Sequence, residues 1–234
     1  MSMALKSGII LAAGFGKRMR HLTHEVPKPL IQFRGKPLIQ YSIDFLESLK
    51  IEEIIINVHY KADQVIEYLL KLNNPKIKIS DESDAILDTG GGVKKAMGLI
   101  KADESIVINS DVIWSNIQID SLKKMKNQFD QNFCDSLLCL APIEKTHGYK
   151  GFGDFIFLDD NKIRRYSDGD QHPYVYCGAQ IISKNAFNNF EEDIFSMNKI
   201  WNRSIENDRL MGFNNQNEIF HIGSIETLDK FDDR

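Results

Sequence analysis

Residues 7–111 alternate short β-branched runs with segments of helical period, and that alternation constrains the fold more than any other feature. The runs "SGIILAA" (7–13), "EEIIINVHY" (52–60), "KIKIS" (76–80) and "SIVINSD" (105–111) read as strands buried on both faces. Between them, "PLIQYSIDFLESLK" places Leu38, Ile39, Ser42, Phe45, Leu46 and Leu49 at helical spacing, with Pro37 in the first turn. "ADQVIEYLLKL" predicts a helix whose apolar side is Val65, Ile66, Leu69, Leu70 and Leu72, and "GGVKKAMGLI" a helix entered through three glycines. Strands separated by helices of this length need crossover connections, so the expectation is an α/β fold. Its mostly parallel, Rossmann-like sheet is covered by helices on both faces. Ligands of such sheets bind beyond the carboxyl ends of the strands, where 14–28, 89–92 and Asp111 fall.

The second half is less regular. "CDSLLCLAPI" reads as a strand, "FGDFIFLDDNKIRRYS" as a hairpin turning at 159–161, and "YVYCGAQIIS" as a strand carrying a glycine. "MNKIWNRSIEND" is a helix with Met197, Ile200, Trp201 and Ile205 on one face. No Pro/Gly/Ser-rich linker or internal repeat divides the 234 residues. One domain is expected over 1–234, its second half extending the sheet and forming a lid over its edge.

Directly after the first strand, "GIILAAGFGKRMRHLTHEVPKPL" (8–30) sets glycines, cationic side chains and two prolines together. A dinucleotide fingerprint fails, because Met19 stands where its third glycine belongs, and "GFGKRM" does not supply a P-loop. What remains is a strand, Gly-x-Gly, Arg18, then Pro27-Lys28-Pro29. Small residues let a flat base and ribose approach the backbone, free amides in such a turn can cradle phosphate, and Arg18 offers a planar fork. Lys28 offers a point charge held between rigid prolines.

A net charge of −4 gives no global pull toward nucleic acid or anionic membrane, so an anion site must be a local cluster. No apolar run reaches the roughly 18 residues of a membrane span. "MSMALKSG" holds no signal-peptide apolar region, and Cys134, Cys139 and Cys177 show no metal spacing and are odd in number. Reduced, buried thiols and a cytoplasmic location are expected. His59, His147 and His172 have no ligand spacing and read as structural or exposed.

"LAAGFGKRMRHLTHEVPKPL" resembles the signature of the sugar-1-phosphate nucleotidyltransferases. Agreement continues through "LDTGGGVKKAM", "NSDVIW", "GFGDF", "YVYCGAQII" and "IFHIGSIETL". The resemblance implies the nucleotide-diphospho-sugar transferase fold, with the nucleotide handled by about 1–130 and the sugar phosphate by about 131–234. It also implies attack of a sugar-phosphate oxygen on the α-phosphorus of a nucleoside triphosphate, releasing pyrophosphate. The short length and the Asp-Thr-Gly-Gly-Gly segment are most similar to the uridylyltransferases of peptidoglycan recycling that act on N-acetylmuramate 1-phosphate. Guanylyl or thymidylyl transfer to a mannose, glucose or heptose phosphate, cytidylyl transfer to phosphocholine, and a catalytically weak nucleotide-sugar-binding regulator stay open. No second catalytic region follows Arg234, so a single activity is expected.

Carried over position by position, the resemblance makes Arg18, Lys28 and Asp111 catalytic. Arg18 would hold the leaving pyrophosphate, and Lys28 would bridge the α-phosphate and the incoming phosphate. Leu11, Ala12, Ala13, Gly14, Gly16, Lys17, Thr89 and Gly90 would meet the nucleotide, and Gly153, Asp154 and Gly178 the sugar phosphate. Asp111 would ligate Mg²⁺. Where the family commonly has a second metal-binding aspartate, this chain has His221, in His221-Ile222-Gly223-Ser224. Imidazole suits softer ions, so three readings stay open: a ligand for Mn²⁺ or Co²⁺, a phosphate contact, or an impaired site. A ligating imidazole is neutral, so that reading predicts activity falling below about pH 6.5. Arg164-Arg165 reads either as a solvated hairpin edge or as an attractor for an anionic sugar substituent such as the lactyl carboxylate of muramate.

Overall fold

Ile9 and Ile10, Ile54 to Ile56 and Ile106 to Ile108 have no exposed surface, which is why these runs are apolar without alternation. The computed structural model describes residues 5–114 and 116–232, and within them all side chains but those of residues 20, 116 and 117. Residues 1–4, part of the segment read for an export signal, lie outside the described residues. In chain order the first half contains β1 (Ser7–Leu11), a small hairpin of β2 (Gln32–Phe33) and β3 (Lys36–Pro37), α1 (Leu38–Ser48) and β4 (Glu53–Val58). It continues with α2 (Ala62–Lys71), β5 (Ile77–Asp81), α3 (Asp88–Leu99), β6 (Glu104–Asn109), β7 (Val112–Ile113) and α4 (Asn116–Gln128). Then come β8 (Ser136–Pro142), β9 (Thr146–His147), β10 (Phe155–Phe157), β11 (Ile163–Arg165), β12 (Tyr174–Ser183), α5 (Met197–Glu206), β13 (Leu210–Asn214), β14 (Ile219–His221) and α6 (Ile225–Asp232).

Strands β6, β1, β4 and β5 pair in parallel, as the crossovers require, with Ile10 of β1 flanked by Ile56 and Ile108. The second half adds antiparallel pairing: β12 runs against both β6 and β8, and β10 and β11 form the expected hairpin. Strand β13 lies parallel to β8, completing a mixed nine-stranded sheet. Alternate residues feed opposite layers. Ile10, Ile54, Ile56 and Ile108 pack with Ile39, Leu46, Val65 and Leu69 of α1 and α2, while Ile9, Ile55 and Val107 pack with Val93, Met97, Ile200 and Trp201 of α3 and α5.

Three expectations are corrected. Leu70 is 69% exposed, because the buried stripe of α2 runs through Val65 and Leu69, one residue of rotation away. Helix α3 begins at Asp88, so its glycines lie inside the first turns rather than ahead of them. Helix α4 is absent from the reading above although Leu122, Met125 and Phe129 are buried, because lysines and glutamines dilute its apolar spacing. The three cysteines are free and buried, and desolvation pushes the Cys134 thiol up to about 12. No helix among the described residues is long and apolar enough to cross a membrane.

A smaller sheet, β7–β14–β9, sits beside the main one. It shares a third apolar cluster with Met19, Ile31, Phe33, Leu38, Leu228 and Phe231. This cluster anchors both the loop after β1 and the segment 221–224.

Candidate active site

The carboxyl ends of β1, β4 and β6 and the start of α3 surround a cavity of about 330 Å³. The loop after β1 forms one side. Gly16 adopts a left-handed conformation (φ 64°), and a Cβ there would stand 2.8 Å from Lys28 Cβ and 2.9 Å from Thr23 Cγ2, so both backbone and space require glycine. Met19, fully buried in the third cluster, pins the turn that follows. The loop is tied to the start of α2 by hydrogen bonds from Tyr60 Oη to the Thr23 carbonyl and from Lys61 Nζ to the His24 carbonyl. Gly14 differs from Gly16: no protein atom lies within 4 Å of a Cβ built there, and its φ is not left-handed. Among the described residues, no packing contact calls for glycine at that place.

Pro27 and Pro29 bracket Lys28 at the start of a short 3-10 turn. Lys28 Nζ donates to Asp111 Oδ2 at 2.5 Å, across 83 residues of sequence, with side-chain exposures of 13% and 22%. Burial pulls the Asp111 carboxyl upward. The charge and hydrogen bond of Lys28, with His221 and Arg18 beyond, more than offset it and hold the carboxyl below its usual range. The Arg18 guanidinium lines the same cavity, its nitrogens 3.3 Å from where a Gly223 Cβ would be. Gly223 therefore lets the 221–224 segment pass close beneath Arg18.

His221 reaches this corner because β14 pairs with β7, placing His221 opposite Val112, while the Ile222 N–H donates to the Asp111 carbonyl at 2.8 Å. His221 Nε2 is buried without a hydrogen-bond partner. Desolvation drives the imidazole down against the pull of Asp111 and Asp154, so it is neutral to a lower pH than the 6.5 expected above. Asp111 and His221 are two donors; among the described residues no group of three or more acids, histidines or cysteines could hold a metal. A buried, unpartnered imidazole nitrogen beside an ionised carboxylate fits a divalent cation whose remaining ligands come from substrate oxygens and water.

The other side of the cavity contains residues the sequence reading missed. Asn57 Oδ1 accepts from the Ala12 N–H at 2.7 Å, and Asn57 Nδ2 donates to Glu82 Oε1 at 2.9 Å. Glu82 is 2% exposed and its Oε2 has no partner. Desolvation raises its carboxyl, opposed by the Asn57 hydrogen bond and by the nearby Leu87 backbone N–H, which makes no hydrogen bond of ordinary geometry to Oε2. The available signal was an asparagine inside the otherwise apolar "IIINV".

Of the residues singled out from sequence, Leu11, Ala12, Ala13, Gly14, Gly16, Lys17, Arg18, Lys28, Thr89 and Asp111 line this cavity. Gly90 does not. Its N–H and that of Gly91 donate to the Phe195 carbonyl, and a Cβ on Gly90, Gly91 or Gly92 would collide with Phe195, the Asp193 carbonyl or Asn57. Packing thus accounts for all three glycines. Thr89 Oγ1 accepts from the Met197 N–H, tying α5 to the cavity wall.

Gly153, Asp154 and Gly178 also lie outside that wall. Gly178 (φ 76°) sits at the register shift of β12, where a Cβ would be 2.8 Å from Val112 Cγ2, so it brings the second half against the end of β6. Asp154 accepts from Tyr149 Oη at 2.9 Å and from the Tyr176 N–H at 2.8 Å. The Tyr149 hydroxyl, desolvated and facing Asp154, is pushed up to about 12 and stays protonated. The two arginines separate: Arg164 makes a bidentate pair with Asp170, whereas among the described residues the Arg165 guanidinium donates to Asn198 and Asn202 alone.

A family model described as nucleotidyl transferase matches residues 7–167. The chain is 34% identical over 227 residues to the N-acetylmuramate alpha-1-phosphate uridylyltransferase of Caulobacter vibrioides, covering 95% of this chain and 94% of that protein. It is 26% identical over 190 residues to the D-glycero-alpha-D-manno-heptose 1-phosphate guanylyltransferase of Campylobacter jejuni, covering 78% of each. Among solved structures, HddC from Yersinia pseudotuberculosis complexed with GMP-PN superimposes with a TM-score of 0.77 at 26% identity. The likeness covers 98% of this chain and 99% of that one.

Proposed function

Since the chain belongs to the nucleotidyl transferase family, we propose that it transfers a uridylyl group from UTP to N-acetylmuramate 1-phosphate and releases pyrophosphate. Transfer of a nucleotidyl group to a sugar 1-phosphate is the coarser statement, common to its relatives. The choice of UTP and of that sugar is supported by the relative matched along nearly the whole chain. The observation that carries the reading is the pairing of Lys28 with Asp111 in a cavity where the space beside Gly14 is open. Residues of about 1–130 handle the nucleotide and those of about 131–234 the sugar phosphate.

In this reaction an oxygen of the sugar phosphate forms a bond to the α-phosphorus as the bond to the β-phosphate oxygen breaks, and pyrophosphate leaves with the electron pair. The chain's part is alignment and charge neutralisation. Lys28 shifts from Asp111 onto the reacting phosphates and offsets their mutual repulsion. Arg18 holds the leaving pyrophosphate with its planar fork. Asp111 and His221 would hold a divalent cation, Mg²⁺ or, given the imidazole, Mn²⁺ or Co²⁺, which would neutralise phosphate charge when bound. At the other end Glu82 Oε2 accepts an N–H of the base, in a corner dry enough to make an unpartnered acceptor costly. A guanine ring also offers N–H donors there, and the solved neighbour carries GMP-PN, so guanylyl transfer is the second reading.

Pyrophosphate release over a matrix of five nucleoside triphosphates and several sugar 1-phosphates, with Mg²⁺ and Mn²⁺ in parallel, tests this. The expected result is one dominant combination, UTP with N-acetylmuramate 1-phosphate. A dominant GTP and heptose or mannose 1-phosphate pair would replace it with the second reading. Tight nucleotide-sugar binding without pyrophosphate under either metal would make the chain a binding protein.

A further inference from the structure

Arg164 and Arg165 are neighbours on β11, yet the structure treats their charges in opposite ways. Arg164 is neutralised by Asp170 through two hydrogen bonds of 2.6 Å. Arg165, opposite Phe155 in the β10–β11 pair, turns toward α5 instead. Its guanidinium lies 4.7 Å from the centre of the Phe155 ring and 5.5 Å from that of Trp201. Nε and Nη2 donate to Asn202 and Asn198, one helical turn apart on α5. Those acceptors are neutral, and among the described residues no carboxylate lies within ion-pair distance of Arg165, nor does Nη1 have a partner. Burial presses on the charged form, with Asp154 the acid that works against it. A half-buried guanidinium that keeps neutral partners is a fork with capacity for an anion.

Its surroundings say which anion. Asn198 follows Met197, whose N–H bonds Thr89 on the cavity wall, so the fork stands just beyond the described cavity. Tyr176 lies against Trp201 at 4.9 Å and donates its N–H to Asp154. That acid, held in place by packed aromatics, suits a sugar ring, whose hydroxyls bond carboxylates. Lys28 and Arg18 stand on the other side, beside Asp111, so the phosphates have their own cations.

We propose that Arg165 is a specificity-determining residue whose guanidinium takes the carboxylate of an acidic substituent on the sugar, selecting an acidic sugar 1-phosphate over its neutral counterpart. This rests on the transfer reading above and names what that reading leaves open, the group that distinguishes the sugar. In calorimetric titrations with Mg²⁺ and a non-hydrolysable UTP analogue, N-acetylmuramate 1-phosphate and N-acetylglucosamine 1-phosphate are compared on the wild type, Arg165→Gln and Arg165→Lys. Pyrophosphate release with UTP is measured alongside. Arg165→Gln is expected to weaken the acidic sugar about 10- to 100-fold, the scale of a lost charge-assisted hydrogen bond, and to leave the neutral one within about twofold. Arg165→Lys should fall between. Equal weakening of both sugars would overturn the assignment, since the guanidinium would then serve the phosphate or the fold. No change in either, or no binding of the acidic sugar to the wild type, would overturn it too. Selective weakening without pyrophosphate release would uphold Arg165 and refute the transfer reading; release with an unaffected Arg165→Gln would do the reverse.

Discussion

Two of the acids lining the cavity, Asp111 and Glu82, stand on different walls, and their environments send them in opposite directions. Asp111 meets a cation, Lys28, and is held ionised. Glu82 meets a neutral amide, Asn57, and burial raises it. The lesson is that a carboxylate's chemistry here is set by whether the nearest partner its wall supplies is charged or neutral. On the proposed reading, one wall serves phosphate and cation and the other an uncharged ring with an N–H to donate.

The comparison breaks most completely at Lys28. Lys28→Ala leaves Asp111 with a neutral neighbour, as Glu82 has, and should lower turnover by about 10²–10³-fold in pyrophosphate release. It should also raise the Asp111 carboxyl. In the wild type the depressed value of Asp111 contributes stability that is present above the unfolded carboxyl value and lost as pH falls through the folded one. Acid melting curves of the variant should show that loss reduced, with Arg18 and His221 still acting on Asp111.

Next in size is Gly16→Ala, which strikes the Lys28 wall through the backbone. With φ at 64° and Lys28 Cβ 2.8 Å from the added methyl, it should destabilise the protein by about 1–3 kcal/mol in denaturant melts. A shift within error would mean the loop relaxes freely and does not fix Lys28.

Glu82→Gln sharpens the other wall. Removing a buried carboxylate with an unpartnered oxygen should raise Tm by about 2–4 °C near neutral pH. The folded value of Glu82 is raised, so wild-type stability grows as pH falls through it, while the glutamine variant has no such dependence. Its advantage should therefore shrink as pH falls through the raised folded value toward the unfolded carboxyl value, and an advantage constant with pH would refute the assignment of the shift.

The smallest effect on stability is expected between the walls. Gly14→Ala meets open space at an ordinary φ, so Tm should move by no more than about 1 °C, while UTP binding, read by titration, weakens if the nucleotide uses that space.

How much could be read beforehand differs between the same two walls. The Lys28 wall announces itself locally: Gly-x-Gly, Arg18 and a lysine between prolines lie within 20 residues, and Asp111 closes an apolar strand. The Glu82 wall does not, because Glu82 follows β5 in a polar stretch, and only its 2% exposure distinguishes it from Asp81 and Asp84 around it. Gly90 shows the opposite failure. Its motif is conspicuous, yet its N–H is spent on the Phe195 carbonyl, 105 residues away.

By itself the sequence determined the crossovers, since β-branched runs spaced by helical segments leave a parallel sheet as the way to bury both. It also determined the glycine turn and the basic loop, because backbone sterics and side-chain charge are properties of adjacent residues. Tertiary structure alone decided that Lys28 reaches Asp111, that Gly223 passes under Arg18, that His221 Nε2 is buried with no hydrogen-bond partner among the described residues, and that Arg165 bonds neutral asparagines. Each of these depends on strand register and on how much water is excluded around a group. Both are set by contacts between segments far apart in the chain, which no local pattern records.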